Sequence, residues 1–246
     1  MTNYKMILEY DGTRYRGWQV QGNTQDTIQG KIEAVLNKMC KEKIEIHGSG
    51  RTDAGVHAYE QVADFKWKKE KNPQEIAEYL NRYLPEDIRV LSVEVADKRF
   101  HSRLNASDKT YRYRIWKGGK PDVFVRRYVE QTEEDLNVGR MKKAAEYLVG
   151  THDFTSFCGN KHFKKSAVRT VYSIQIEETQ DEIVIDICGN GFLQNMVRIL
   201  VGTLVEVGTG AREPSDMQAV LAGKNRILAG HMMPAKGLAL MEVRYR

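Results

Sequence analysis

Gly48, Gly50 and Gly55 surround Arg51, Thr52 and Asp53 in the run Gly48-Ser49-Gly50-Arg51-Thr52-Asp53-Ala54-Gly55-Val56-His57-Ala58. Glycines let a backbone turn sharply and approach a ligand closely, so such a loop projects its polar side chains outward. A carboxylate presented this way can serve as nucleophile or general base, with Arg51 beside it for a phosphate or a base. The same pattern also describes a structural turn carrying an Arg/Asp surface pair. A dinucleotide-binding loop is opposed on two counts. Asp53 occupies the third glycine position, where its charge would repel a pyrophosphate, and residues 57–65 read as a strand where that motif needs a helix N-terminus.

Other reactive types are sparse or isolated. His57 and Glu60 make a lone H-x-x-E with no third ligand in view, so no metal is expected. Cys40, Cys158 and Cys188 form neither a C-x-x-C pair nor an even set, which points to a reducing compartment without disulfides. Cys158 has no evident base, and no nucleophile-elbow motif accompanies the serines. In the run 109–116, Tyr111, Tyr113 and Ile115 share one face while Arg112, Arg114 and Trp116 share the other. Such interleaving suits base stacking and phosphate contact, although tyrosines on a strand more often serve core or cross-strand packing, and position alone does not choose. Arg198 opens a very apolar helical stretch with Ile199, Leu200, Val201, Leu204 and Val205. It either pairs with an acid in a cleft or snorkels to the surface.

The elements that position these residues follow from periodicity. Strands are expected at 4–10, 44–49, 57–65 and 88–95, with helices at 27–40 and 73–84, giving the order β-α-β-β-α-β. The second half repeats it, with strands at 110–116, 170–176, 183–188 and 238–245, helices at 135–149 and 193–207, and a short helix after Pro214. The expectation is an α+β chain of two ferredoxin-like halves, residues 1–105 and 106–246, with mainly antiparallel sheet and a central basic cleft.

Of 246 residues, 41% are hydrophobic and 29% charged, so the chain folds compactly and is not a low-complexity or disordered sequence. Net charge is +5, which permits a polyanionic partner. Basic residues bunch at Lys66, Lys68, Lys69 and Lys71, at Lys109, Arg112, Arg114 and Lys117, and at Lys161, Lys164, Lys165 and Arg169. Any one bunch describes a solvated face; three together tilt toward nucleic acid. No apolar run reaches the roughly 18 residues of a membrane span, and the N-terminus has no long apolar stretch, so the expected location is the cytoplasm.

Taken in order, the segments Tyr10-Asp11-Gly12, Gly17-Trp18-Gln19, Gly50 to His57, Phe100-His101-Ser102-Arg103 and Lys109 to Tyr113 resemble the TruA family of tRNA pseudouridine synthases. The resemblance continues through residues 152–157, Gly191-Phe192-Leu193, Met196-Val197-Arg198 and Pro234 to Leu238. It implies that Asp53 is the nucleophilic aspartate, that Tyr111 stacks on the target uracil, that Arg198 pairs with the aspartate, and that Arg51 displaces or holds the target nucleotide. It further implies a cofactor-free homodimer of two ferredoxin-like halves that binds structured RNA, not DNA, and acts at uridines 38, 39 or 40 of the tRNA anticodon stem-loop. A paralogue directed at ribosomal RNA or another tRNA position, and a non-catalytic RNA-binding protein, are the rival readings. Two segments depart from the family pattern. Gln194-Asn195 stands where an aromatic residue or histidine is frequent, and His231-Met232-Met233 where a more polar, proline-containing stretch is common.

Overall fold

The computed structural model describes residues 1–245 and shows an α+β chain whose strands pair mostly antiparallel. The chain forms two compact units, Met1–Ser107 joined by the chain from Ala239 onward, and Asp108–Leu238.

The first unit is built from β1 (Thr2–Tyr10), α1 (Ile28–Cys40), β2 (Ile46–Gly48), β3 (His57–Trp67), α2 (Pro73–Tyr83), β4 (Ile88–Ala96) and β10 (Leu238–Tyr245). β1 lies antiparallel between β3 and β4, with Met6 opposite Ala63 and Val93, and β2 pairs antiparallel with β3. The resulting order β4-β1-β3-β2 is the ferredoxin-like one. Strand alternation sends Tyr4, Met6, Leu8 and Tyr10 of β1 inward, where Tyr4 stacks on Phe65 with ring centroids 5.2 Å apart. Ile28, Ile32 and Leu36 of α1 and Ile76 and Leu80 of α2 recur at helical spacing and are buried, each contributing about 1.5–3 kcal/mol of hydrophobic stabilisation. Thr27 caps α1 by accepting the Gly30 amide, and Asn72 caps α2 ahead of Pro73. β10, which the sequence pattern assigns to the second half, pairs parallel with β3, Ala239 opposite His57.

The second unit contains β5 (Ala106–Lys117), β6 (Glu130–Thr132), α3 (Val138–Glu146), β7 (Gly150–Asp153), β8 (Val168–Glu178), β9 (Glu182–Gly189), α4 (Met196–Gly208) and α5 (Asp216–Gly223). Its strands run β5-β9-β8-β7, every pair antiparallel, and β6 adds parallel to β5. α3 is shorter than the 135–149 expected, because the Asn137 side chain caps it by accepting the Arg140 amide. α4 begins at Met196 rather than 193, because Asn195 is left-handed at φ 61° and breaks the helical run. Asparagine tolerates that conformation better than most side chains, a physical reason for the residue at this departure from the family pattern. Among the described residues no helix is long and apolar enough to cross a membrane.

Candidate active site

In the first unit the loop 49–56 connects β2 to β3, and several backbone groups on both sides of Asp53 are tied down. The Ser49 amide donates to Val62 O (2.7 Å), and the buried Gln61 of β3 donates to Gly50 O (3.2 Å) while accepting from Ser49 Oγ (2.7 Å). Thr52 is gripped at both ends: its carbonyl accepts the Trp18 amide (3.0 Å), and its hydroxyl lies 2.8 Å from the Tyr10 hydroxyl. The Asp53 carbonyl accepts the Val56 amide (3.2 Å), closing a tight turn. Burial pushes the Tyr10 hydroxyl up to about 12, against the partial relief given by Thr52 and Gln61, so it stays protonated as a structural hydrogen-bonding group.

Gly17 makes this grip sterically possible. Its φ is +93°, and a Cβ there would stand 2.7 Å from Thr52 O. The neighbouring Trp18 is buried and its ring lies 6.1 Å from that of Tyr10. Asp53 is thus carried half-buried on a rigid turn, and Arg51, two residues earlier and exposed, donates its Nε–H to Gln19 Oε1 at 2.9 Å. His57, half of the lone H-x-x-E, is buried and accepts the Gly12 amide through Nδ1 at 3.1 Å. Among the described residues no group of three His, Cys, Asp or Glu is placed to hold a metal ion.

In the second unit, Tyr111, Tyr113 and Ile115 share one face of β5, and that face is the buried one. Tyr111 meets the Phe192 ring edge-on, with centroids 5.3 Å apart. On the opposite face, Arg112 forms a two-pronged pair with Asp186 (2.8 and 2.7 Å) and Arg114 another with Glu182 (2.8 and 2.6 Å). Lys117 pairs with Glu178 at 2.8 Å. This basic bunch is therefore matched by acids of β8 and β9, which weakens the reading of it as a phosphate-binding row. Lys161, Lys164 and Lys165 by contrast sit exposed in the loop before β8.

Arg198, in the first turn of α4, donates its Nε–H to Met233 O (2.6 Å), and the Met233 amide returns a bond to Arg198 O (3.2 Å). The segment 229–237 follows α4 closely. A Cβ on Gly202 would collide with His231 O, the Gly230 amide donates to Thr203 Oγ1 (2.9 Å), and the His231 amide donates to Glu206 (3.0 Å). Arg212 and the His231 contacts hold the Glu206 carboxyl below its ordinary range although burial pushes the other way. The second departure from the family pattern, His231-Met232-Met233, thus acts on Arg198 through its backbone. Next to it, the buried Tyr113 hydroxyl donates to Pro234 O (2.8 Å). Burial and Glu130 drive this hydroxyl far above the tyrosine range, while the Arg198 charge opposes them.

Of the four residues singled out from sequence, Asp53 and Arg51 share one loop of the first unit, and Tyr111 and Arg198 belong to the second. Sequence reasoning missed the residues that brace them: Tyr10, Gln61 and Gln19 in the first unit, Met233 and Glu206 in the second. Nothing singled out Gln61 in β3, which also carries Glu60, Asp64 and Lys66. Burial pushes the Cys40 thiol up to about 11, which leaves it a poor nucleophile.

Comparison with known proteins adds a consistent set of likenesses. The sequence profile of one family, tRNA pseudouridine synthase, matches residues 6–104 and 144–246. The chain is 52% identical over 240 residues to tRNA pseudouridine synthase A of a Bacillus species (strain KSM-64), covering 98% of each chain. It is 48% identical to tRNA pseudouridine synthase A 1 of Clostridium tetani and 47% identical to tRNA pseudouridine synthase A of Brevibacillus brevis, both over the full length of each chain. A solved structure of a Cbf5-Nop10-Gar1 complex shows a distant likeness, with TM-score 0.42 at 12% identity, over 97% of this chain and 48% of that one.

Proposed function

The chain belongs to the tRNA pseudouridine synthase family, enzymes that isomerise uridine to pseudouridine in tRNA, and we propose that Asp53 is its catalytic carboxylate and uridines 38, 39 and 40 of the anticodon stem-loop its targets. The observation that carries the role of Asp53 is the bracing of its loop. A surface turn has no need of a buried tyrosine, a buried glutamine and a tryptophan amide to fix Gly50 and Thr52, whereas a reacting carboxylate at Asp53 does.

The isomerisation breaks the C1′–N1 bond, turns the uracil and joins C5 to C1′; the proton on C5 leaves and one is gained at N1. Nothing is oxidised or reduced, so the reaction calls for no redox partner or group carrier. A carboxylate serves it by attacking C1′ or by removing the 2′ proton to give a glycal, and both routes need Asp53 ionised. A target uridine must first leave its stack, at a cost of a few kcal/mol. Arg51 holds or replaces the displaced nucleotide, Tyr111 recovers part of the lost stacking, and Arg198 supplies positive charge at the reacting groups. The exposed Lys161, Lys164 and Lys165 support contact with RNA phosphates. The family resemblance supports a homodimer, and three cysteines without a paired motif support a reducing, cytoplasmic setting.

Mass-spectrometric mapping of a tRNA pool lacking these modifications, before and after incubation with purified enzyme, tests the target. New pseudouridine at 38, 39 and 40 is expected. Its appearance only elsewhere in tRNA, or only in added ribosomal RNA, would overturn the assignment.

A further inference from the structure

The hydrogen bonds behind Arg51 form one directed series. Arg51 Nε–H donates to Gln19 Oε1 (2.9 Å), Gln19 Nε2 donates to Gln29 Oε1 (2.7 Å), and Gln29 Nε2 donates to Glu33 Oε1 (2.8 Å). The direction is forced by the ends. A guanidinium only donates and a carboxylate only accepts, so both amides must turn their oxygens toward Arg51 and their nitrogens toward Glu33.

The far end of the series is anchored. Gln29 and Glu33 stand one turn apart on α1, and Gln29 is buried. Gln29 Oε1 also accepts the Val20 amide (3.1 Å), Gln29 Nε2 also reaches Ile46 O (3.2 Å), and Glu33 Oε1 accepts the Ile46 amide (3.0 Å). The helix, the 19–20 segment and the start of β2 are therefore locked around one amide whose polar atoms are both used. An exposed Arg–Gln contact needs no such anchor, and burying an amide to provide it is costly unless the contact matters.

We propose that Gln19 is a positioning residue that aims the Arg51 guanidinium at the target nucleotide, braced by Gln29 and Glu33; this rests on the reading of Arg51 as the residue that handles that nucleotide. With Nε–H committed to Gln19, a nucleotide meets the two terminal amino groups. A fork of donors held in one orientation recognises a phosphate or a base edge better than a side chain that must be ordered on binding.

The test is a double-mutant cycle on single-turnover pseudouridine formation, using a folded anticodon stem-loop and saturating enzyme. Gln19→Ala is expected to slow the reaction about tenfold, the scale of one charge-assisted hydrogen bond removed. Added to Arg51→Ala, it is expected to do nothing further, because its effect runs through Arg51. Gln29→Met, which cuts the series one step back, should give a smaller slowing that likewise vanishes without Arg51. Urea midpoints for each variant show that the fold is intact, and Gln19 is only half-buried, so its loss leaves the core untouched. A wild-type rate for Gln19→Ala alongside a slow Arg51→Ala overturns the role of Gln19 alone, as does a Gln19→Ala slowing that persists undiminished in the Arg51→Ala background. A wild-type rate for Arg51→Ala removes the Arg51 reading and the Gln19 role with it.

Discussion

The hydroxyls of Tyr10 and Thr52 lie 2.8 Å apart, buried, one residue ahead of Asp53. Tyr10→Phe leaves the Thr52 hydroxyl without that partner inside the fold, at a cost of about 1–3 kcal/mol, and loosens the turn that carries the carboxylate. Turnover is expected to fall about tenfold with RNA affinity little changed. The same tyrosine has a pH signature. Burial holds its hydroxyl up at about 12 against 10.0 for an exposed tyrosine, so the folded state keeps a proton that the unfolded chain gives up. Its stabilising contribution is complete below pH 10 and is lost as the pH rises toward 12. Between pH 9 and 11 the wild-type protein should lose about 1 kcal/mol more than Tyr10→Phe in urea melts.

Gly17→Ala places a side chain at φ +93° and 2.7 Å from Thr52 O. Backbone strain of about 1–3 kcal/mol is expected, together with displacement of the Asp53 turn. Thermal unfolding and turnover should both drop. A fully active Gly17→Ala would show that Thr52 need not be gripped from this side.

Arg198→Lys keeps the charge and removes the Nε–H that is fixed to Met233 O. Single-turnover rate is expected to fall at least about tenfold while the dissociation constant for a tRNA stem-loop changes by less than about threefold. An unchanged rate would reduce Arg198 to a simple positive charge.

Local signals were legible and distant partners were not. Pro73 and the spacing of Ile76 and Leu80 marked α2 almost to the residue, because a helix-starting proline and periodicity are both written within a dozen positions. The start of α4 was misplaced because Leu193 continues the apolar period, while the left-handed Asn195 follows from a loop that the Gly159 amide ties down at Gln194 O. On β5 the alternation put Tyr111 and Tyr113 on one face but left open whether that face is buried, which it is. That Arg112 and Arg114 face carboxylates rather than solvent depends on β9, whose Asp186 stands opposite Arg112 only once the register is set. The Asp53 loop was visible as a loop of reactive types; the residues that stiffen it come from β1, β3 and the stretch around Trp18, and no spacing rule joins them.

The pairing on β5 predicts which cations matter for RNA. Replacing Arg112 and Asp186 together by Gln and Asn removes a matched pair and should leave the salt dependence of tRNA binding unchanged. Replacing Lys161, Lys164 and Lys165 by alanine should weaken binding and flatten the dependence of log Kd on log salt by up to about 0.9 for each phosphate that a lysine no longer neutralises. The reverse result would return the phosphate row to β5.

The central claim is that Asp53 performs the chemistry, and Asp53→Asn tests it with little change of shape. Pseudouridine formed in a folded anticodon stem-loop, counted by mass spectrometry under single-turnover conditions, is expected to fall below detection while the stem-loop still binds within about threefold of wild type. Pseudouridine formation by Asp53→Asn at the wild-type rate would contradict the account.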